Sequence, residues 1–312
     1  MKINLLTLSI VICLLMPVIS NSQQIPDNNF VYTITSPAYS QGNGPLIYID
    51  GAHNNFHTIE GGFSPVARLL KSDGYQVKGL DEPITEKDIL NGCKILVIAN
   101  PLHASNTEDW VLPTPSAFTA EEISIIKSWV EEGGSLFLIA DHMPFAGAAF
   151  DLGKAFGFEF LNGFAYTRER EWPPSIFSLK DSTLMESPIT TGVEECEQIN
   201  EISTFTGSAF KAPTAAIPVL RFLDENYSLQ PDTAWAFTDS TPRKKLGGYN
   251  QGALLKFGKG RVAVFGEAAM FTAQIANGDF KVGLNSEHAP HNAQFELNLI
   301  HWLDGRIEKI LN

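Results

Sequence analysis

Imidazole and carboxylate side chains collect in four short stretches of the chain. Asp50, His53 and His57 share the first with Asn54 and Asn55, His103 marks the second, Asp141 and His142 are adjacent in the third, and Glu267 follows Gly266 in the fourth. Neutral imidazole and carboxylate together make a donor set for Zn, Mn or Fe, and they are also the proton carriers of hydrolysis and elimination. We read Asp50, His53, His57 and His142 as candidate ligands of a divalent metal. The four-residue spacing of His53 and His57 brings both to one face if their loop makes a helical turn. Asp141, His142 and Glu267 are the candidate acid–base groups, and Asn54, Asn55, His103 and Arg168 the candidate substrate contacts. Trp110, Tyr166 and Trp172 could add a stacking surface for a sugar ring. Each residue also has a plain structural reading, since Asn, Asp and His at loop starts cap helices and fix turns. His288 and His291 are weaker members, because they precede the last helix, for which Asn292 is a candidate N-cap.

These residues need a scaffold that brings distant loops together. From Pro45 onward, short apolar runs alternate with helical patterns, the signature of a parallel sheet covered by helices. Strands are predicted at 46–50, 75–80, 94–99 and 136–140, and Ala253–Phe257 with Arg261–Phe265 reads as a hairpin through Gly258 and Gly260. Ser64 and Pro65 open one helix. Thr119 and Glu122 form a capping box before the stripe Ile123, Ile126, Trp129 and Val130, and Gly147–Phe156 and Phe295–Leu303 read as two more helices. Between about 158 and 247 the alternation fades, so we expect a single α/β domain over 45–305 with an irregular elaboration there and an N-terminal extension over 23–44. In such open sheets ligands bind beyond the carboxyl ends of the strands, and all four polar stretches fall at strand exits.

Composition narrows the function. The chain has 312 residues and a net charge of -13, which argues against nucleic acid or an anionic membrane surface as partner. Gly61 and Gly62 are not followed by the Lys of a phosphate loop, so no nucleotide cofactor is expected. Lys2 and the apolar run Leu5–Ile19, ending in Ser20, Asn21 and Ser22, have the layout of a secretory signal peptide over 1–22. Export to the periplasm or beyond is therefore expected, with no membrane segment after cleavage. Cys93 and Cys196 then allow one disulfide at most.

The order of elements, with strand, turn and helix over Leu136–Phe156 at its centre, resembles the class I glutamine amidotransferase-like fold and its non-amidotransferase, ThuA-like relatives. That resemblance implies a three-layer sandwich around a mostly parallel, flavodoxin-like sheet. It also implies a nucleophilic cysteine in the central turn, but here the turn reads Ala140, Asp141, His142, Met143. Thiol chemistry is thus not expected. The expected function is a secreted hydrolase or lyase for a small polar or carbohydrate-derived substrate. The alternative is a non-catalytic module that binds a glycan, a peptide or a protein.

Overall fold

The structure is a computed structural model that describes residues 24–167 and 174–307. The predicted leader, Arg168 and Trp172 lie outside the described residues. Five parallel strands, β1 (Leu46–Asp50), β2 (Gln76–Leu80), β3 (Cys93–Ala99), β4 (Ser135–Ile139) and β5 (Gly260–Phe265), stand in the order β2-β1-β3-β4-β5. Four antiparallel strands extend the sheet beyond β5: Asn250–Phe257 pairs with β5 and with Ile217–Arg221, and Ala209–Lys211 and Glu159–Leu161 follow.

Apolar side chains alternate between two buried clusters, one on each face. In β3, Ile95, Val97 and Ala99 join the first cluster and Leu96 and Ile98 the second. Helix α1 (Ser64–Ser72) gives Val66, Leu69 and Leu70 to the first cluster, and α3 (Asn292–Leu303) adds Phe295, Leu299 and Trp302. Helix α2 (Ala120–Glu132) gives Ile126, Trp129 and Val130 to the second. A central strand sealed on both faces needs no polar alternation, which is why β3 reads as a continuous apolar run. At the start of α2 the predicted capping box is present, with the Thr119 hydroxyl accepting from the Glu122 amide at 3.2 Å and the Glu122 carboxylate accepting from the Thr119 amide at 2.9 Å.

Several expectations need correction. The sheet is mixed rather than mostly parallel. The stretch over 158–247 is rich in strands rather than irregular: three join the central sheet, Phe164–Tyr166, Tyr227–Leu229 and Arg243–Lys245 form a second sheet, and Ser175–Ser178 pairs with Glu201–Thr204. Strands of three to five residues are too short to show a period. The helix expected at 147–156 divides into Phe145–Ala148 and Phe150–Ala155. In the N-terminal extension, Gln24–Pro26 pairs with Ala273–Ala276, which pairs in turn with Phe280–Gly283. Asn292 lies inside α3, where its amide bridges both backbone groups of Ser203 instead of capping. Among the described residues, Cys93 is buried, Cys196 is exposed, and both are free.

The order β2-β1-β3-β4-β5 creates a switch point between β1 and β3, whose following loops turn in opposite directions. The exits of β4 and β5 complete the same rim. Gly207 closes it from the antiparallel side. Its φ is +137°, and a Cβ there would overlap the Gly266 carbonyl oxygen and crowd Glu267. Replacing it with alanine forces apart two segments joined by the 2.6 Å bond from the Ser208 amide to the Gly266 carbonyl. Gly207→Ala is expected to cost about 1–3 kcal/mol in denaturant unfolding, and an unchanged midpoint would show that the rim yields freely.

Candidate functional site

A cavity of about 560 Å³ opens at the rim formed by the exits of β1, β3, β4 and β5. His57, Asn100, Asp141, His142 and Glu267 all line it, so four of the sequence-selected residues meet. Asp141 and Glu267 leave adjacent parallel strands, whose last residues Ile139 and Phe265 are in register. The Asn100 side chain accepts from the Asp141 amide at 2.9 Å, which ties the exits of β3 and β4 together.

Glu267 is fully buried. Its two oxygens each accept a backbone amide, from Ala269 and Met270, at 2.8 Å. Burial pushes its carboxyl well above the usual carboxylate range, the negative Asp141 pushes in the same direction, and the backbone amides of Met270, Ala269 and Phe205 offset part of the rise. His142 donates from Nδ1 to the Met143 carbonyl at 2.6 Å. A carbonyl can only accept, so the proton is fixed on Nδ1 and the neutral ring keeps Nε2 as its basic nitrogen. The ring is stacked on Phe164 at 4.4 Å between centroids and meets Trp235 at 4.7 Å.

His57 is 4% exposed and stacks on Phe63 at 5.3 Å, with Nδ1 buried and unpartnered. Burial pushes the ring down to about 4, so it is neutral in ordinary conditions. Glycine is needed at position 62, because a Cβ there would overlap this ring.

His53 belongs elsewhere. Nδ1 faces both oxygens of Asp50, at 2.8 and 3.0 Å, and Nε2 faces the Glu122 carboxylate at 3.1 Å. Neither Asp50 nor His53 lines the cavity. The expected metal set of Asp50, His53, His57 and His142 is therefore not assembled: both nitrogens of His53 are engaged, and Asp50 is consumed by the same contact. Among the described residues no group of three or more His, Cys, Asp or Glu is placed to hold a metal ion.

The expected substrate contacts also have structural work. Asn54 has φ +46° and donates to the Leu102 carbonyl, Asn55 accepts from the His53 amide at 3.0 Å, and His103 accepts from the Ser105 amide at 3.1 Å as a cap. Arg168 lies outside the described residues. Of the stacking candidates, Trp110 lines the cavity, whereas Tyr166 packs against Tyr227.

Among solved structures, the chain is similar to the mmIFT52 N-terminal domain, with a TM-score of 0.56 and 16% identity over 83% of this chain and 96% of that one. The two share a fold. A ThuA-like protein from Bacteroides uniformis ATCC 8492 superposes with a TM-score of 0.45 and 12% identity, over 88% of this chain and 94% of its own. Cytoplasmic protein STM3548 from Salmonella typhimurium does so with 0.47 and 12%, over 83% and 98%. No protein-family model matches the chain, and no curated protein sequence does either.

Sequence reasoning missed the mouth of the cavity. Phe56, Trp235 and Phe280 line it and are 45%, 52% and 40% exposed, large apolar surfaces that a fold alone does not require. Phe56 was visible as an apolar residue inside a polar loop. Trp235 carried no comparable signal: its φ of +66° is a strained conformation for a bulky side chain, and only the structure reveals it.

The His53 clamp has a measurable consequence. Burial alone would lower the His53 pKa, but the hydrogen bonds and charges of Asp50 and Glu122 outweigh it and raise the value. Burial tends to raise Glu122, yet the Thr119 contacts and then His53 bring it below its usual range. The raised His53 contributes fully below the unfolded pKa of about 6.5 and loses its contribution as pH rises through its folded value. The lowered Glu122 contributes above about 4.3 and loses its contribution as pH falls through its own folded value. His53→Ala leaves Asp50 buried without a counter-charge and is expected to cost about 3–5 kcal/mol in urea unfolding. The Tm difference between the native protein and Glu122→Gln, which keeps the capping box, should shrink in alkaline buffer. A difference flat across pH would show that the His53 charge plays no part.

Proposed function

We propose that the cavity is the active site of an acid–base enzyme, a hydrolase or lyase acting on a small polar or carbohydrate-derived substrate. One observation carries the reading: two carboxyl groups and an imidazole of fixed tautomer, from the exits of two adjacent strands, line one largely apolar cavity. Burial and the neighbouring Asp141 favour the protonated form of Glu267, against the backbone amides of Met270, Ala269 and Phe205. That makes it the general acid. Nε2 of His142 is the general base, taking a proton from water in hydrolysis or from a carbon next to the leaving group in elimination. As the bond to the leaving group breaks, its electron pair receives the Glu267 proton. Asp141 accepts from the His142 amide at 2.7 Å, which holds the turn that presents the imidazole.

The layout of residues 1–22 supports export as the setting of this activity. The exposed aromatic mouth favours a second reading, a binding module that recognises its ligand without turning it over. The two part on catalysis. Turnover of a panel of small polar and sugar-derived compounds, followed by NMR, should fall about 10²–10⁴-fold in each of Glu267→Gln and His142→Gln. Turnover should also decline as pH rises through the raised Glu267 value, and Glu267→Gln should lack that alkaline limb. Folded variants that keep native turnover would end the acid–base assignment, and a panel bound but never converted would favour the binding module.

A further inference from the structure

The chemistry of the cavity wall narrows the ligand, if this cavity is the substrate site as proposed above. Among the described residues, six that line the cavity are Phe or Trp, two are acids, and none is Lys or Arg. The rings form a continuous surface: Phe56 meets Trp110 at 5.7 Å, Trp110 meets Phe145 at 5.0 Å and His142 at 6.0 Å, and His142 meets Trp235 at 4.7 Å. An anionic ligand would face Asp141 and Glu267, with no Lys or Arg among the described lining residues. A hydroxyl-rich ligand would need free donors and acceptors, yet most polar side chains here are engaged. The Asn100 oxygen takes the Asp141 amide, the Gln274 amide donates to Thr272, and the Thr206 hydroxyl donates to the Phe205 carbonyl.

Aromatic faces attract cations through the ring quadrupole, most strongly where water is excluded, and a carboxylate supplies the compensating charge. A compact organic cation satisfies both halves of this wall at once. We propose that the ligand of this cavity carries an organic ammonium group, seated against Trp110, Phe56 and Trp235 and neutralised by Asp141. The strained backbone of Trp235 agrees with this assignment, because it leaves half of the indole exposed beside His142 while the rest packs against Phe164 and Phe237. The overall charge of -13 also favours the approach of a cation.

Choline and its uncharged isostere, the alcohol in which carbon replaces the nitrogen, have the same shape and differ in charge. Titration of the full-length protein with each, by calorimetry and by tryptophan fluorescence, separates cation recognition from apolar packing. Choline should bind at least about tenfold more tightly than the isostere and more weakly as salt is raised. Asp141→Asn and, independently, Trp235→Ala should each weaken choline binding about 5- to 30-fold. Equal binding of the two alcohols, no binding of either, or unchanged choline affinity in the Trp235→Ala protein would overturn the proposal. The titration is repeated on Glu267→Gln. Binding retained there without turnover by any variant or by the native protein would leave the cation site standing and remove the enzymatic reading. Turnover of uncharged compounds with no choline binding would do the reverse.

Discussion

The imidazole of His53 lies between two buried carboxylates, and the geometry of the rim depends on that contact. Asp50 closes β1 and is fully buried; Glu122 belongs to the first turn of α2. Joining them through one ring fixes the loop after β1 against the helix that follows β3. The backbone then continues the connection. The Leu102 amide donates to the His53 carbonyl and the Phe56 amide to the Asn100 carbonyl, both at 2.9 Å, so the loops leaving β1 and β3 move as one piece. Phe56 and His57 extend from that piece into the cavity. A buried charge pair is weak evidence for net stability, but removing one member leaves the other stranded, so the cluster is well suited to specify one arrangement of the loops.

Much of this frame was legible in the sequence because it rests on local signals. The capping box at Thr119 and Glu122, the continuous apolar run of β3 and the stripe on α3 each have a period or a cap that one stretch of chain displays by itself. The convergence of Asp141, His142 and Glu267 was also legible, since exits of parallel strands share one edge of a sheet. The role of His53 was not. Its spacing from His57 resembles a ligand pair, but the ring is taken by Glu122, 69 residues away, and no local pattern announces that partner. The antiparallel half of the sheet was hidden for a related reason: strands of three residues derive their identity from the neighbour they pair with, not from their own alternation.

Glu122 shows how one side chain serves two levels of structure. One oxygen accepts the Thr119 amide and closes the capping box, while the other faces His53. The first role can be read from an isolated helix sequence. The second depends on the loop after β1 arriving with an imidazole. A capping glutamate is normally exposed and weakly coupled; here it is 5% exposed, and burial strengthens its dependence on both partners.

Several unfavourable features border the cavity. Glu267 has no exposure, the Nδ1 of His57 lacks a partner, and Asn100, Trp235 and Asn277 adopt positive φ, all among the lining residues. Asn enters that backbone region at modest cost because its short amide can bond locally, so Asn100 and Asn277 are ordinary turn residues. Trp235 has no such compensation, and Glu267 and His57 could be replaced by apolar groups if packing were their only task. Selection for stability alone would relax such positions. The shared location of Trp235 and Glu267 at one opening makes a common ligand the simplest account of both, because a ligand can supply the covering surface that the protein by itself leaves incomplete.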